Sequence, residues 1–196
     1  APPPRKPVNF GPEKQCSLLH ATGAPTYEDL VVNANGTLKW ALVHVKDEVA
    51  DGPVPSTEPA VFDQVGCVFK PHAVIARVGQ PVEFRNGDAI LHNVRGLSKQ
   101  AQAFNVAQPT QGMKASRTFK KPEIGMPLKC DVHYWMTAYL HVLPHAFGGL
   151  SGEDGTVVLQ GLPAGTYTVE AWHEKLGPQT QSVTVQGGES TAIEFT

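Results

Sequence analysis

Residues 130–136 read CDVHYWM and set a cysteine, a histidine and a methionine at C-x2-H-x2-M spacing. Thiolate, imidazole and thioether are donors that together select copper, whereas magnesium, calcium and manganese take oxygen ligands. A trigonal set of two histidines and one cysteine with a weak axial methionine is one such copper arrangement, and the heptapeptide lacks one histidine of it. LHNV, upstream, offers His92 at a strand end after the Asn86-Gly87 turn. A loop leaving a strand then carries Cys130 at its start, His133 at its apex and Met136 at its return, all aimed at one point. Taken singly, a cysteine or a methionine is more often core filling, and a histidine a satisfied polar group. It is the combination with LHNV and β-type flanks that points to a metal.

A centre that cycles between Cu(I) and Cu(II) works fast only when its ligands need not rearrange, so a rigid scaffold has to position them. The elements on either side read as strands. LKWALVHV (38–45) alternates Leu38, Trp40, Leu42 and His44 against Lys39, Ala41, Val43 and Val45, with His44 expected at the surface. DGPVPSTEP (51–59) is a proline-rich loop, and AVIARV (73–78) and PVEFRN (81–86) flank the Gly79-Gln80 turn. SRTFKKPEIGMPLKC brings a strand up to Cys130, and YLHVL (139–143) leaves the motif as another. Beyond Ser151, TYTVEAW (166–172) alternates, and Gly187-Gly188 divides SVTVQ from TAIEF. No segment carries a helical period longer than about two turns. Many short strands with regular turns predict an all-β sandwich or barrel.

The 196 residues suffice for one large β-domain or two small ones. A formal charge of −2 gives no footprint for nucleic acid, and no run of about 18 apolar residues reads as a membrane span. The chain opens on APPPRKPV, as it would after removal of a secretory signal ending in small residues. Three cysteines allow one bridge and one spare thiol. If Cys130 binds metal, Cys16 and Cys67 remain to pair, and closing that loop constrains the unfolded chain by about 4 kcal/mol. Such a bridge fits an oxidising compartment; the alternative is two buried reduced thiols.

The remaining histidines divide. His20 follows Cys16 at C-x3-H spacing, but a Cys16–Cys67 bridge would remove the thiolate. His72, His141, His145 and His173 form a possible second site, zinc or type-2 copper, if their imidazoles converge; otherwise they hydrogen-bond at a junction between β-layers. Trp135 and Tyr134 are read either as an apolar collar around the metal that offers a docking patch or as core anchors between the ligand loop and the C-terminal layer, with the core role expected of Trp135 and docking of Tyr134. No G-x-S-x-G elbow surrounds Ser116 and there is no glycine-rich phosphate loop, so hydrolase and nucleotide chemistry lack support.

With HNV followed by C-x2-H-x2-M, the chain resembles the cupredoxins, of amicyanin type in loop length. CVFKPHAVIARVGQPVEF, FNVAQP, CDVHYWM and GLPAGTYTVEAWHEKLG resemble more specifically the bacterial methylamine-utilisation-like proteins with a carboxypeptidase-regulatory-like tail. The resemblance runs from about Cys16 to the end. It implies a Greek-key β-sandwich with an additional C-terminal β-layer. The corresponding boundaries are an N-terminal β-region (1–60) packing on the C-terminal region, a copper domain (61–145) and a carboxypeptidase-regulatory-like region (146–196). It further implies one type-1 copper per chain on His92, Cys130, His133 and Met136. Electrons would enter through an exposed edge of His133, passing to and from a redox partner such as a cytochrome c, dehydrogenase or oxidase. A periplasmic or secreted, non-membrane-spanning carrier follows; the alternative is a copper enzyme or copper-delivery protein using the extra histidines. One departure stands out: the family usually has proline after the motif histidine, and here that residue is Tyr134.

Overall fold

The computed structural model describes residues 2–49, 56–101 and 103–196; most of the expected proline-rich loop lies outside the described residues. Within these, the chain forms one short helix, α1 (Lys14–Leu18), and the strands β1 (Val31–Val32), β2 (Leu38–Lys39), β3 (Leu42–Val45), β4 (Ala60–Gln64), β5 (Phe69–Lys70), β6 (Ala73–Arg77), β7 (Pro81–Asn86), β8 (His92–Gly96), β9 (Phe104–Gln108), β10 (Lys114–Thr118), β11 (Glu123–Lys129), β12 (Thr137–Leu143), β13 (Gly148–Leu150), β14 (Gly165–His173) and β15 (Gly177–Val185). The expected class, an all-β sandwich with a further C-terminal β-region, is the observed one.

Two compact units divide the described residues, one of 5–28 and 56–144, the other of 2–4, 29–49 and 145–196. The segment before residue 60 is therefore shared between them. Its first part is bound to the motif-bearing unit by the Cys16–Cys67 disulfide. Its second part supplies β3, which pairs with β13 and β14 of the C-terminal region.

In the first unit, a four-stranded sheet runs β10-β7-β4-β5 and a five-stranded sheet runs β6-β12-β11-β8-β9. The pairs β4/β7 and β6/β12 are parallel, and the rest are antiparallel. One apolar core joins the two sheets: Phe62, Val82 and Phe84 from the first meet Val94, Phe104, Met126, Leu128 and Leu140 from the second. Phe84 and Phe104 rings lie 5.6 Å apart across it, the spacing at which aromatic pairs add to simple burial. The pattern that builds this core is the alternation of period two. In β7, Val82, Phe84 and Asn86 point in while Pro81, Glu83 and Arg85 are half-buried.

Between β4 and β5 the chain reverses at Gly66-Cys67, where both residues have positive φ (69° and 54°) and Val65 N–H donates to Val68 C=O. Two positive φ values suit the twist of a hairpin. Cysteine at the second position is unusual, because a Cβ makes this conformation costly.

The second unit has the sheet β13-β3-β14-β15 and the ribbon β1-β2. Three expectations are corrected here. LKWALVHV is not one strand, because Trp40 turns into the left-handed region (φ 67°) and splits β2 from β3. His44 is buried rather than exposed: the β3/β14 register sets Glu170 opposite, 3.3 Å from its Nε2, and its Nδ1 donates to Val45 C=O. TAIEF forms no strand; Gln181 Nε2 donates to the Glu194 carbonyl within it and Gln179 Nε2 to the carbonyl of Thr196 just after it.

Candidate metal centre

β8 begins at His92, and β11 ends one residue before Cys130. The two strands pair antiparallel with Lys129 opposite Arg95 and Leu128 opposite Gly96. That register brings a residue 38 positions upstream to the ligand loop: Asn93 Oδ1 accepts the Asp131 amide at 2.7 Å. Its Nδ2 donates to Asn105 Oδ1 and Asp131 Oδ2, and the Cys130 thiol lies 3.3 Å from Oδ1, to which it donates. The loop closes on itself, with Met136 N–H donating to His133 C=O and Cys130 N–H to Met136 C=O. Met136 is thus fixed at the loop's return and is buried.

The donor atoms converge. His92 Nδ1 and His133 Nδ1 are 2.9 Å apart, Cys130 Sγ is 3.7 Å from His133 Nδ1, and all three residues are buried. His92 Nε2 donates to Asp88 Oδ2 at 3.0 Å, which leaves its Nδ1 with a lone pair facing the cluster. A cation or a proton is what makes such an approach of imidazole nitrogens favourable. Burial pushes the Cys130 thiol up, but hydrogen bonds with the His133 and His92 side chains outweigh it and bring it down to about 6. His92 moves the other way: burial opposes its charge, and its bonds to Asp88 and Cys130 raise it above the usual imidazole range. Burial likewise opposes ionisation of Asp88, yet its bonds from His92, the Cys67 amide and the Gly66 amide hold the carboxyl below its ordinary range. A thiolate beside two buried imidazoles is a donor set that could hold a soft or borderline metal.

Asp88 was not among the residues expected here. It accepts from Gly66 N–H and Cys67 N–H, both at 2.8 Å, as well as from His92. The only signal for it in the sequence is a carboxylate four residues before a candidate ligand. Its partners in the Gly66-Cys67 turn are 22 and 21 residues further upstream.

An exposed edge on His133 is not found: the residue is 1% exposed. Trp135 lies against its ring at 5.1 Å, and Phe10 of the N-terminal segment packs edge-on against Trp135. Tyr134, the residue in the place of proline, is exposed and donates its hydroxyl to Asn9 C=O at 3.1 Å. Trp135 is buried as expected of a core anchor, its indole N–H donating to Cys67 C=O at 2.8 Å.

Cys16 and Cys67 form the expected disulfide and Cys130 is free. His20 serves that region, with its Nε2 2.7 Å from Gly66 C=O and its ring stacked on Phe10. The four histidines of the possible second site are all buried. In the first unit, His72 sits edge-on to Tyr139, and His141 Nδ1 accepts the Gly125 amide. In the second, His145 Nδ1 accepts the Phe147 amide and His173 Nδ1 the Lys175 amide.

No protein-family model matches the chain, and no curated protein matches it. Among solved structures it is similar to a copper-containing nitrite reductase from Thermus scotoductus SA-01, at 25% identity and TM-score 0.41 over 49% of this chain and 25% of that one. It is similar to a purple cupredoxin from Nitrosopumilus maritimus, at 18% identity and TM-score 0.37 over 42% of this chain and 98% of that one. An oxidised amicyanin variant matches at 21% identity and TM-score 0.39, over 51% and 97%. The chain thus spans a quarter of the nitrite reductase's length.

Proposed function

We propose that this chain is a type-1 copper protein that carries single electrons, holding one copper on His92, Cys130 and His133 with Met136 as the weak axial donor. The observation that carries this reading is the buried convergence of His92 Nδ1, His133 Nδ1 and Cys130 Sγ on one point. Copper there would supply a one-electron couple. The protein supplies the rest. Asp88 keeps the proton on His92 Nε2, so that Nδ1 remains the donor. Asn93 ties the start of the ligand loop to β8. Trp135, backed by Phe10, covers the His133 ring. Ligands fixed in this way meet the requirement of little rearrangement between oxidation states. The disulfide suits an oxidising compartment, in keeping with a periplasmic or secreted carrier serving a redox partner such as a cytochrome c. No helix among the described residues is long and apolar enough to cross a membrane.

Loading with Cu(II) tests the reading. The expected result is an intense visible charge-transfer band, from a short bond between copper and the Cys130 sulfur, with one copper per chain. A pale protein with an ordinary type-2 electron paramagnetic resonance spectrum would overturn it. A second equivalent of tightly held metal would instead favour an enzyme or delivery role for the extra histidines.

A further inference from the structure

Cys67 is held in a left-handed backbone conformation (φ 54°) that a residue with a Cβ adopts only when its surroundings over-determine it. Three contacts do so here, and each leads to the metal centre. Its amide N–H donates to Asp88, which accepts from His92. Its carbonyl accepts from the indole of Trp135, which sits in the ligand loop between His133 and Met136. Its sulfur is bonded to Cys16, and both sulfurs lie within 4.8 Å of a His133 ring nitrogen. The amide and the carbonyl belong to the two peptide units that flank the Cys67 Cα, so a change in φ alters the angle between them and strains the bond to Asp88 or the bond from Trp135.

Asp88 is likewise fully committed. Gly66 N–H binds one carboxylate oxygen, and Cys67 N–H and His92 Nε2–H bind the other. The carboxylate is 5% exposed, so water does not substitute for a lost donor. An amide in its place would keep one acceptor oxygen and turn an NH2 group towards a donor.

We propose that Asp88 is the positioning residue of the copper centre and that the Cys16–Cys67 bridge acts on the copper through it: the disulfide fixes the Gly66-Cys67 turn, the turn fixes the carboxylate, and the carboxylate fixes the ring plane and tautomer of His92. This rests on the copper reading above. It makes the bridge part of the metal site's support.

A double-mutant cycle on the full-length protein tests it. The variants are Asp88→Asn, the bridge-free Cys16→Ser/Cys67→Ser, and the triple combination. Each is loaded with Cu(II) and read by copper affinity, by the visible band and by electron paramagnetic resonance hyperfine splitting. Loss of an outer partner of a ligating histidine is expected to weaken copper about 10–100-fold. Both single arms should do so and shift the spectrum in the same sense, with the triple variant no worse than the more damaged arm. Asp88→Glu, which keeps a carboxylate, should recover part of the affinity. Losses that multiply in the triple variant would overturn the proposal. So would a bridge-free protein with wild-type affinity and spectrum, or one that no longer folds by circular dichroism, because the bridge would then serve the fold alone. Should Asp88→Asn not fold, the bridge-free arm decides by the same readouts. Absence of the band from wild-type protein, by contrast, would mark failure of the copper reading itself.

Discussion

At the residue scale, the centre is a set of titrating groups held out of water. In the metal-free protein Cys130 titrates at about 6, against an ordinary thiol value of about 8.5. The folded state therefore gives up this proton more readily than the unfolded chain. The stability this contributes is fully present above pH about 8.5 and is lost as pH falls through about 6. Ultraviolet thiolate absorbance of the metal-free protein should accordingly rise with a midpoint near pH 6, and Cys130→Ser should remove the rise; a midpoint above 8 would mean that the histidines do not act on the thiol. Once copper is bound, Cys130→Ser should abolish the visible band. Met136→Leu should leave the metal bound and raise its potential, because the axial donor tunes the metal without holding it. An unchanged potential in voltammetry would make Met136 core filling. His92, Cys130, His133 and Met136 stand out in the sequence as candidate ligands because donor type and spacing carry their chemistry, and the fold brings the first three together. The burial of His133 could not be read there: Trp135 lies against its ring, and Trp135 is itself packed by Phe10, more than a hundred positions away and merely apolar in type.

At the element scale, β8 is the strand on which the site depends, since it carries His92 and Asn93 and pairs with the strand that delivers Cys130. Its last residue, Gly96, faces the Phe104 ring: a Cβ there would come within 2.2 Å of the ring. Phe104 cannot retreat freely, because Phe84 and Phe119 pack against it. Gly96→Ala should therefore destabilise the unit by about 1–3 kcal/mol, the usual cost of overpacking a filled core, seen as a lower urea midpoint. A midpoint within error of wild type would show that the ring has room to move. Short strand-forming runs bounded by turn residues located β6, β7, β12 and β14; burial alternates without a break in β7, whereas β6, β12 and β14 each carry adjacent buried residues. Sequence periodicity ran β2 and β3 together because Trp40, an excellent strand former, adopts a backbone conformation that propensity does not foresee. TAIEF failed for the converse reason: it alternates well but pairs with nothing as a strand, its Glu194 carbonyl accepting from the Gln181 side chain instead.

At the scale of the whole molecule, the proposed ligands, Asp88 and the disulfide all belong to the unit of 5–28 and 56–144. The long-range ties that hold 5–28 to this unit are a disulfide, Cys16–Cys67, and a ring contact between Phe10 and Trp135. Neither leaves a periodic trace. Metal binding stabilises whatever folded structure forms the site, by RT ln(1 + [L]/Kd), which is about 4 kcal/mol when free metal is a thousand times Kd. Hydrogen exchange with and without copper should therefore slow the best-protected amides of β8, β11 and β12 by about a thousandfold under those conditions. In β14 and β15, whose sheet contains none of the ligands, the rates should stay close to those of the metal-free protein. Equal slowing in β14 and β15 would show that the two units open as one cooperative block, and the loss of either would then release the copper.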